Sequence, residues 1–467
     1  MQSRVEGRAK HVEADVAVVG GGLAGLMAAR VIAAAGLQPV VIEARSRIGG
    51  RVLGEPIGDG AILEMGGQYV GHRDQRLRAL LTELDIDTFA VYDRGLHLLE
   101  LGRGMRRYRG NVPHVGARTL LDLARARWRI DRCSKRVPTI APWDAPHARE
   151  WDRTTFATWL EENVRTRDAR SFLDAAVATI WGEDPHGVNM LAALAFVNMA
   201  GSFQALGATR GGLLQDRVVG GSGRLPQTIA AELEDNRILY DCPVDAIVDH
   251  GGRVDIESAH TRVTARHAIL ALPPVLARAI RFEPVLPALR LQALESLPMG
   301  SVIKIAAVYE RPFWRERGLS GRALSVNGPV TATLDNSPPD GRPGVLIGFV
   351  PGARARQLAE RSSGERREAV LATFERLFGH EAARPEQYLE KDWTADQWSR
   401  GCYFGLAAPG ALTGPLSTLA HPTGSIHWAG SETAFESFGG MDGALRSGER
   451  AANEVLTAMA SATVAAH

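Results

Sequence analysis

A short apolar run, Val16-Ala17-Val18-Val19, ends at Gly20, Gly22 and Gly25, and a helical stretch from Leu23 to Ala35 follows at once. No other feature limits the possible folds so strongly. The run reads as a buried parallel strand, because residues on both of its faces are apolar. Gln38 to Ile42 is a second apolar run closed by Glu43, so strand, turn, helix and strand fit within about 30 residues, the size of a βαβ unit. Gly20 permits the tight turn, Gly22 lets backbone approach a pyrophosphate, and Gly25 lets helix pack on strand. The helix start offers free amides to phosphate charge. Glu43, about 20 residues on, is placed to hold a pair of ribose hydroxyls. Gly20, Gly22, Ala24, Gly25 and Glu43 are therefore candidate dinucleotide contacts, although this fingerprint does not choose between FAD and NAD.

The chain has 467 residues, more than one hydrophobic core usually serves, so two or three domains are expected. Lys plus Arg number 54 against 53 for Asp plus Glu, which gives no global reason to expect nucleic acid as a partner. Cys133, Cys242 and Cys402 are too few for a disulfide framework and point to a reducing compartment. The polar segment Met1 to His11, with Arg4, Arg8 and Lys10, lacks a secretory apolar core. No stretch is long enough for a membrane anchor, so the expectation is a soluble, cytoplasmic protein.

Arg118 to Arg136, Thr155 to Val164 and Ser171 to Trp181 read as a helical lobe. Strands return at Val244 to Val248, Arg253 to Glu257 and Ala268 to Leu272, then at Ser301 to Glu310 and Gly344 to Val350. Glu365 to Phe378 reads as a helix, and Ser425 to Ala429 as a last strand feeding a glycine turn and a long helix from about Met441.

Several further motifs narrow the choice. Glu43-Ala44-Arg45 is followed by Gly49-Gly50-Arg51, a second basic glycine turn that a simple nicotinamide dehydrogenase does not need. Met65-Gly66-Gly67-Gln68-Tyr69-Val70-Gly71, Gly220-Gly221-Ser222-Gly223, Ala429-Gly430-Ser431-Glu432-Thr433 and Met441-Asp442-Gly443-Ala444 follow in order. Together they resemble the flavin-containing monoamine oxidase family along nearly the whole chain, with the weakest match in the middle. The resemblance implies an α/β fold of mixed α+β type: a Rossmann-like FAD-binding domain of residues 1–85, 215–290 and 393–467, and a substrate domain of sheet plus helices from 86–214 and 291–392. It implies FAD, held through the glycine loop, Ala44, Arg45, Gly50, Arg51, Gly66, Gly67, Gln68, Tyr69, Val244, Trp393, Cys402, Gly430, Ser431, Glu432 and Met441. The activity implied is oxidation of the carbon beside an amine nitrogen to an imine, with oxygen reduced to hydrogen peroxide.

By the same resemblance Lys304 reaches the reactive nitrogen of the flavin through a water, Trp393 lies along the ring, and Tyr403 walls an amine cage. Lys304 also demands explanation on its own, as a charge in the apolar run Ser301 to Ala306; an edge strand guarded by lysine is the other reading. Cys402 occupies the position from which some members bind flavin covalently, while others hold FAD without that bond. Gln215 matches a glutamine lining the substrate cavity. Gly440 departs from the pattern, since the family usually carries a second cage aromatic there, and the extra room predicts a bulkier amine. Phe435 or Phe438 could refill the gap. A helix starting near Gly440 would aim its positive end at a reduced flavin. The resemblance also leaves room for a homodimer.

An L-amino-acid oxidase or a flavin-dependent desaturase on the same fold is the alternative, the former needing an arginine for the substrate carboxylate. His72, His186 and His427 show no metal-ligand spacing. The arginines between Arg103 and Arg136 form a locally positive surface for a membrane or acidic partner, or else a solvated face offset by Asp122 and Asp131.

Overall fold

The computed structural model describes residues 10–465 except 59, 103, 111 and 234–236. The expectations placed on Met1 to Ala9 and on Arg103 lie outside the described residues. The chain divides into two compact units, Met1–Arg51 with Gly223–Glu295 and Thr418–His467, and Val52–Ser222 with Ser296–Ser417. Residues 52–85, 215–222 and 393–417, which the resemblance assigned to the FAD-binding domain, pack in the second unit, and 291–295, assigned to the substrate domain, pack in the first.

The first unit is built on the βαβ start. Val16–Val19 is wholly buried and pairs in parallel with Pro39–Ile42 on one side and His267–Leu270 on the other. Ile238–Leu239 and Ile426–Trp428 complete a five-stranded parallel sheet. Such burial on both faces explains the unbroken Val and Ile runs. The helix Leu23–Ala34 packs against the long helix Met441–Ala465 so closely that a Cβ on Gly448 would stand 2.2 Å from the Ala24 carbonyl oxygen. A second five-stranded sheet follows the order Lys10–Glu13, Thr261–Ala265, Val254–Ser258, Val244–Asp249 and Arg281–Glu283.

The second unit holds a seven-stranded sheet in the order Gln387–Asp392, Val302–Tyr309, Gly344–Pro351, Ala332–Asp335, Leu319–Ser325, Leu96–Leu101 and Gly104–Tyr108. Val302–Tyr309 is buried at every residue and paired on both sides, so Lys304 does not guard an edge. That reading is corrected here. The helices Ala117–Ser134, Phe156–Asn163, Arg167–Trp181 and Met190–Ala200 belong to the same unit as this sheet. Phe172 packs on Leu99 and Tyr108, and the Thr179 and Thr331 hydroxyls lie 2.9 Å apart. Trp314, Phe313, Phe374, Leu346 and Val350 form a dry core on the sheet.

Candidate active site

Each unit carries one cluster of the residues singled out above. In the first, Gly20 has φ +106°, and a Cβ there would meet the Ala271 oxygen at 2.6 Å. A Cβ on Gly25 would collide with the Gly20 oxygen at 1.9 Å, as expected for a glycine that lets helix touch strand. Gly22 is different. It is extended, at φ −76° and ψ 177°, and a Cβ there meets nothing within 4 Å. The chain is open on that side, with the N-terminus of Leu23–Ala34 carrying no side-chain cap and no acid in its first turn. Four helix-end amides without internal partners beside an open backbone suit a pyrophosphate, so these residues fit a dinucleotide.

Glu43 is 3% exposed, and its two oxygens accept the backbone N–H groups of Gly21 at 2.7 Å and Arg45 at 2.9 Å. These bonds fix the carboxylate at the strand end. Ala44 is half-buried beside it, and Val244 opens the strand Val244–Asp249 in the second sheet. The second glycine turn lies directly on the first, because Gly49 donates to the Gly21 oxygen at 2.8 Å and a Cβ on Gly50 would be 3.4 Å from the Gly22 Cα.

Arg51 grips Glu432 with two parallel bonds, 2.6 and 2.9 Å long, and reaches the Ser431 hydroxyl at 3.1 Å. Burial would raise the Glu432 carboxyl, but Arg51 and its hydrogen bonds outweigh that and hold it below its ordinary value. Arg51→Leu should therefore strand a buried carboxylate and cost about 3–5 kcal/mol of stability, read as a lowered midpoint in urea. The wild-type contribution is present above the ordinary carboxylate range and lost as pH falls through the depressed folded value, so the two proteins should converge in acid.

Gly430 has φ +116° and donates to Ser447 at 3.0 Å, setting the turn before Met441. Phe435 lies under the Arg450 guanidinium, 5.6 Å from its ring centre. Gly440 is exposed, and a Cβ there would meet only the Ser437 oxygen, at 3.3 Å. Backbone space for a larger residue is present.

In the second unit Lys304 is 4% exposed and its Nζ donates to the Gly66 oxygen at 2.9 Å and to Gln68 Oε1. Gln68 in turn donates to Asn336 Oδ1 at 2.7 Å, which fixes which end of its amide faces the lysine. Burial is the main reason the Lys304 ammonium falls from 10.5 to about 7, with Glu64 pulling it up and Arg217 pushing it down. Trp393, Cys402, Phe349 and Met65 form one apolar cluster, with Tyr69 and Tyr403 packed against it. Trp393 donates to the Met65 oxygen at 3.0 Å, and the Phe349 ring stands 5.8 Å from Lys304 Nζ and 6.4 Å from the Tyr403 ring. Burial pushes the Tyr403 phenol well above its ordinary value, so it stays neutral. The Tyr69 hydroxyl is buried, and burial pushes its phenol far above the ordinary value.

Beneath the Gly66-Gly67-Gln68 turn lies a buried pair that sequence reasoning missed. Arg217 donates to Glu64 at 2.9 Å and to the Asn336 and Ser337 oxygens, while Ser222 donates its backbone N–H to Glu64 and its hydroxyl to the Gly67 oxygen. Gln215 is not drawn into this cluster by its amide, which bonds to the Gly211 N–H and to Asp216, each at 3.0 Å. A cleft of about 700 Å³, lined by Arg167, Asp174, Asn327, Thr331 and Arg354 among others, contains none of the candidate residues. Among the described residues no His, Cys, Asp or Glu group could hold a metal, and no helix is long and apolar enough to cross a membrane.

A glycine loop that fits a dinucleotide in one unit, and a buried lysine in an aromatic cluster in the other, suit a dinucleotide-dependent oxidoreductase. Comparison with known proteins makes this specific. Residues 23–456 match the family of flavin containing amine oxidoreductases. A putative flavin-containing monoamine oxidase from Mycobacterium tuberculosis is 39% identical over 94% of this chain and 96% of its own length. Putrescine oxidase solved with bound putrescine is 33% identical, with a TM-score of 0.92, covering 96% of this chain and all of that one. Cyclohexylamine oxidase from Brevibacterium oxydans is 30% identical with a TM-score of 0.91, covering 96% and 99%. The chain belongs to the flavin-containing amine oxidase family. It is an FAD-dependent enzyme that oxidises amines with oxygen.

Proposed function

We propose that the cage segment serves an amine bulkier than a simple arylalkylamine. The observation that carries this reading is the open backbone at Gly440, where a Cβ would meet only the Ser437 oxygen at 3.3 Å; the resemblance puts a second cage aromatic at this position. Phe435 does not compensate freely, being packed against Arg450. When bound, the flavin supplies two-electron acceptance from the C–H bond beside nitrogen, and oxygen leaves as hydrogen peroxide. The first unit's glycine loop, Glu43 and helix N-terminus hold the dinucleotide end. In the second unit Tyr403 and Phe349 strip water from the amine and favour its free base. Lys304, poised near neutrality, holds or releases a proton at Nζ and orders a water there. Gln68 and Asn336 keep Nζ in one place.

Peroxide release across a panel of cyclic, aliphatic and aryl amines plus amino acids tests the substrate reading. Activity should rise with substituent bulk, and Gly440→Tyr should cut kcat/KM for the bulky amines about tenfold while sparing small ones. A wild-type preference for the smallest arylalkylamines would refute it. The amino-acid oxidase reading has one observation in its favour. Arg322 is half-buried and its charge acts on Tyr69, and a Cβ on Gly207 would stand 3.4 Å from its Nη2. Oxidation of amino acids that is abolished by Arg322→Leu would select that reading.

Cys402 is a buried cysteine outside any disulfide and the proposed site of a thioether to the flavin. Acid-precipitated wild type should retain its yellow colour in the pellet, and Cys402→Ala should release it to the supernatant. Release by wild type would exclude the bond.

A further inference from the structure

The arginine-rich helix Ala117–Ser134 was expected to have its charge offset by Asp122 and Asp131. The structure turns both acids inward. Asp122 is 7% exposed, and its Oδ2 accepts the backbone N–H groups of Arg165 at 2.8 Å and Thr166 at 2.7 Å and the Thr166 hydroxyl at 2.9 Å. Asp131 accepts the Phe203 N–H at 2.7 Å. Leu123, Ala126 and Ile130 share the buried side of the helix.

What remains outside is a stripe of Arg118, Leu121, Arg125, Trp128 and Arg132, spaced by three or four residues and so on one face. Leu121 is 53% and Trp128 58% exposed, large values for residues of this size. The Arg132 guanidinium stands 5.2 Å from the Trp128 ring centre. Arg127 and Arg129 beside the stripe bond to the neutral side chains of Gln204 and Asn163, each at 2.7 Å. Among the described residues no carboxylate forms an ion pair with Arg118, Arg125 or Arg132. Lys135 and Arg136 extend the positive surface past the helix end.

We propose that this face docks the protein peripherally on an anionic lipid bilayer. Indole rings partition to the headgroup level of a membrane, and interleaved arginines pair with anionic headgroups while their stems lie along apolar surface. A single-stranded nucleic acid is the weaker candidate, because such binders present successive aromatic platforms, whereas this stripe has one ring and an aliphatic Leu121. The whole chain carries a net charge of only +1, so the attraction is local to this helix.

Flotation of the full-length, flavin-loaded protein with vesicles of phosphatidylcholine alone, or mixed with phosphatidylglycerol, tests the proposal. Binding to the anionic vesicles should be about tenfold tighter or more at low salt and fall as salt rises. The double variant R125E/R132E should lose it, and W128A should weaken it several-fold with the salt dependence kept. Both variants should stay yellow and oxidise amine in solution at the wild-type rate, which separates lost docking from lost folding. Equal binding to neutral and anionic vesicles, wild-type binding by R125E/R132E, or tighter retention by a single-stranded RNA oligonucleotide would overturn the proposal.

Discussion

Lys304→Met should lower turnover about 100-fold or more while the protein keeps its flavin and its fold. Methionine matches the length of the lysine stem, so the sheet that surrounds it need not move. The loss is one of proton handling at Nζ. The folded ammonium titrates near 7, so the wild-type rate should show a limb near neutrality that the variant lacks. Arginine at this position should not rescue, since it stays charged throughout. A second readout does not depend on turnover. The folded value lies below the ordinary 10.5, so between about 7 and 10.5 the unfolded chain binds more protons, and wild-type stability climbs with pH across that window. Lys304→Met removes that climb. Its melting point should exceed that of wild type most at or below pH 7, and the gap should close toward pH 10.5.

Gly22→Val should weaken FAD binding at least about tenfold and leave the apoprotein as stable as before. Gly22 occupies extended backbone and faces open space, so the polypeptide tolerates a side chain there and only an approaching pyrophosphate is blocked. Gly25→Val is the contrasting variant. Its Cβ would lie 1.9 Å from the Gly20 oxygen, so it should damage folding itself. Isothermal titration of the two apoproteins with FAD, each in the Cys402→Ala background so that binding stays reversible, alongside their urea midpoints, separates the effects. Equal loss of stability in both would mean that Gly22 serves packing and not the ligand.

The βαβ start was legible because its signals are local: an apolar run, glycines at fixed offsets and an acid at the next strand end. Lys304 stood out for a similar reason, a charge with no neighbour in sequence to justify it. The Glu64 and Arg217 pair was not legible, since its members are 153 residues apart and meet only when the fold closes. Asn336 was missed likewise, a polar residue whose partner Gln68 lies 268 positions away. The hairpin Leu96–Leu101 and Gly104–Tyr108 was not legible either, because buried Leu98, Leu99 and Leu101 do not alternate with polar residues and the second strand falls within the basic stretch. The fate of Asp122 could have been read from the sequence. It falls on the helical face shared by Leu123, Ala126 and Ile130, and that spacing marks it as inward.

Mixing the purified yellow protein with a bulky amine under anaerobic conditions, and following the flavin absorption, tests the assignment most directly. The visible band should bleach in a single turnover and return on admitting air, with one peroxide formed per flavin. A protein that binds no flavin, or whose flavin keeps its colour before every amine offered, would contradict it.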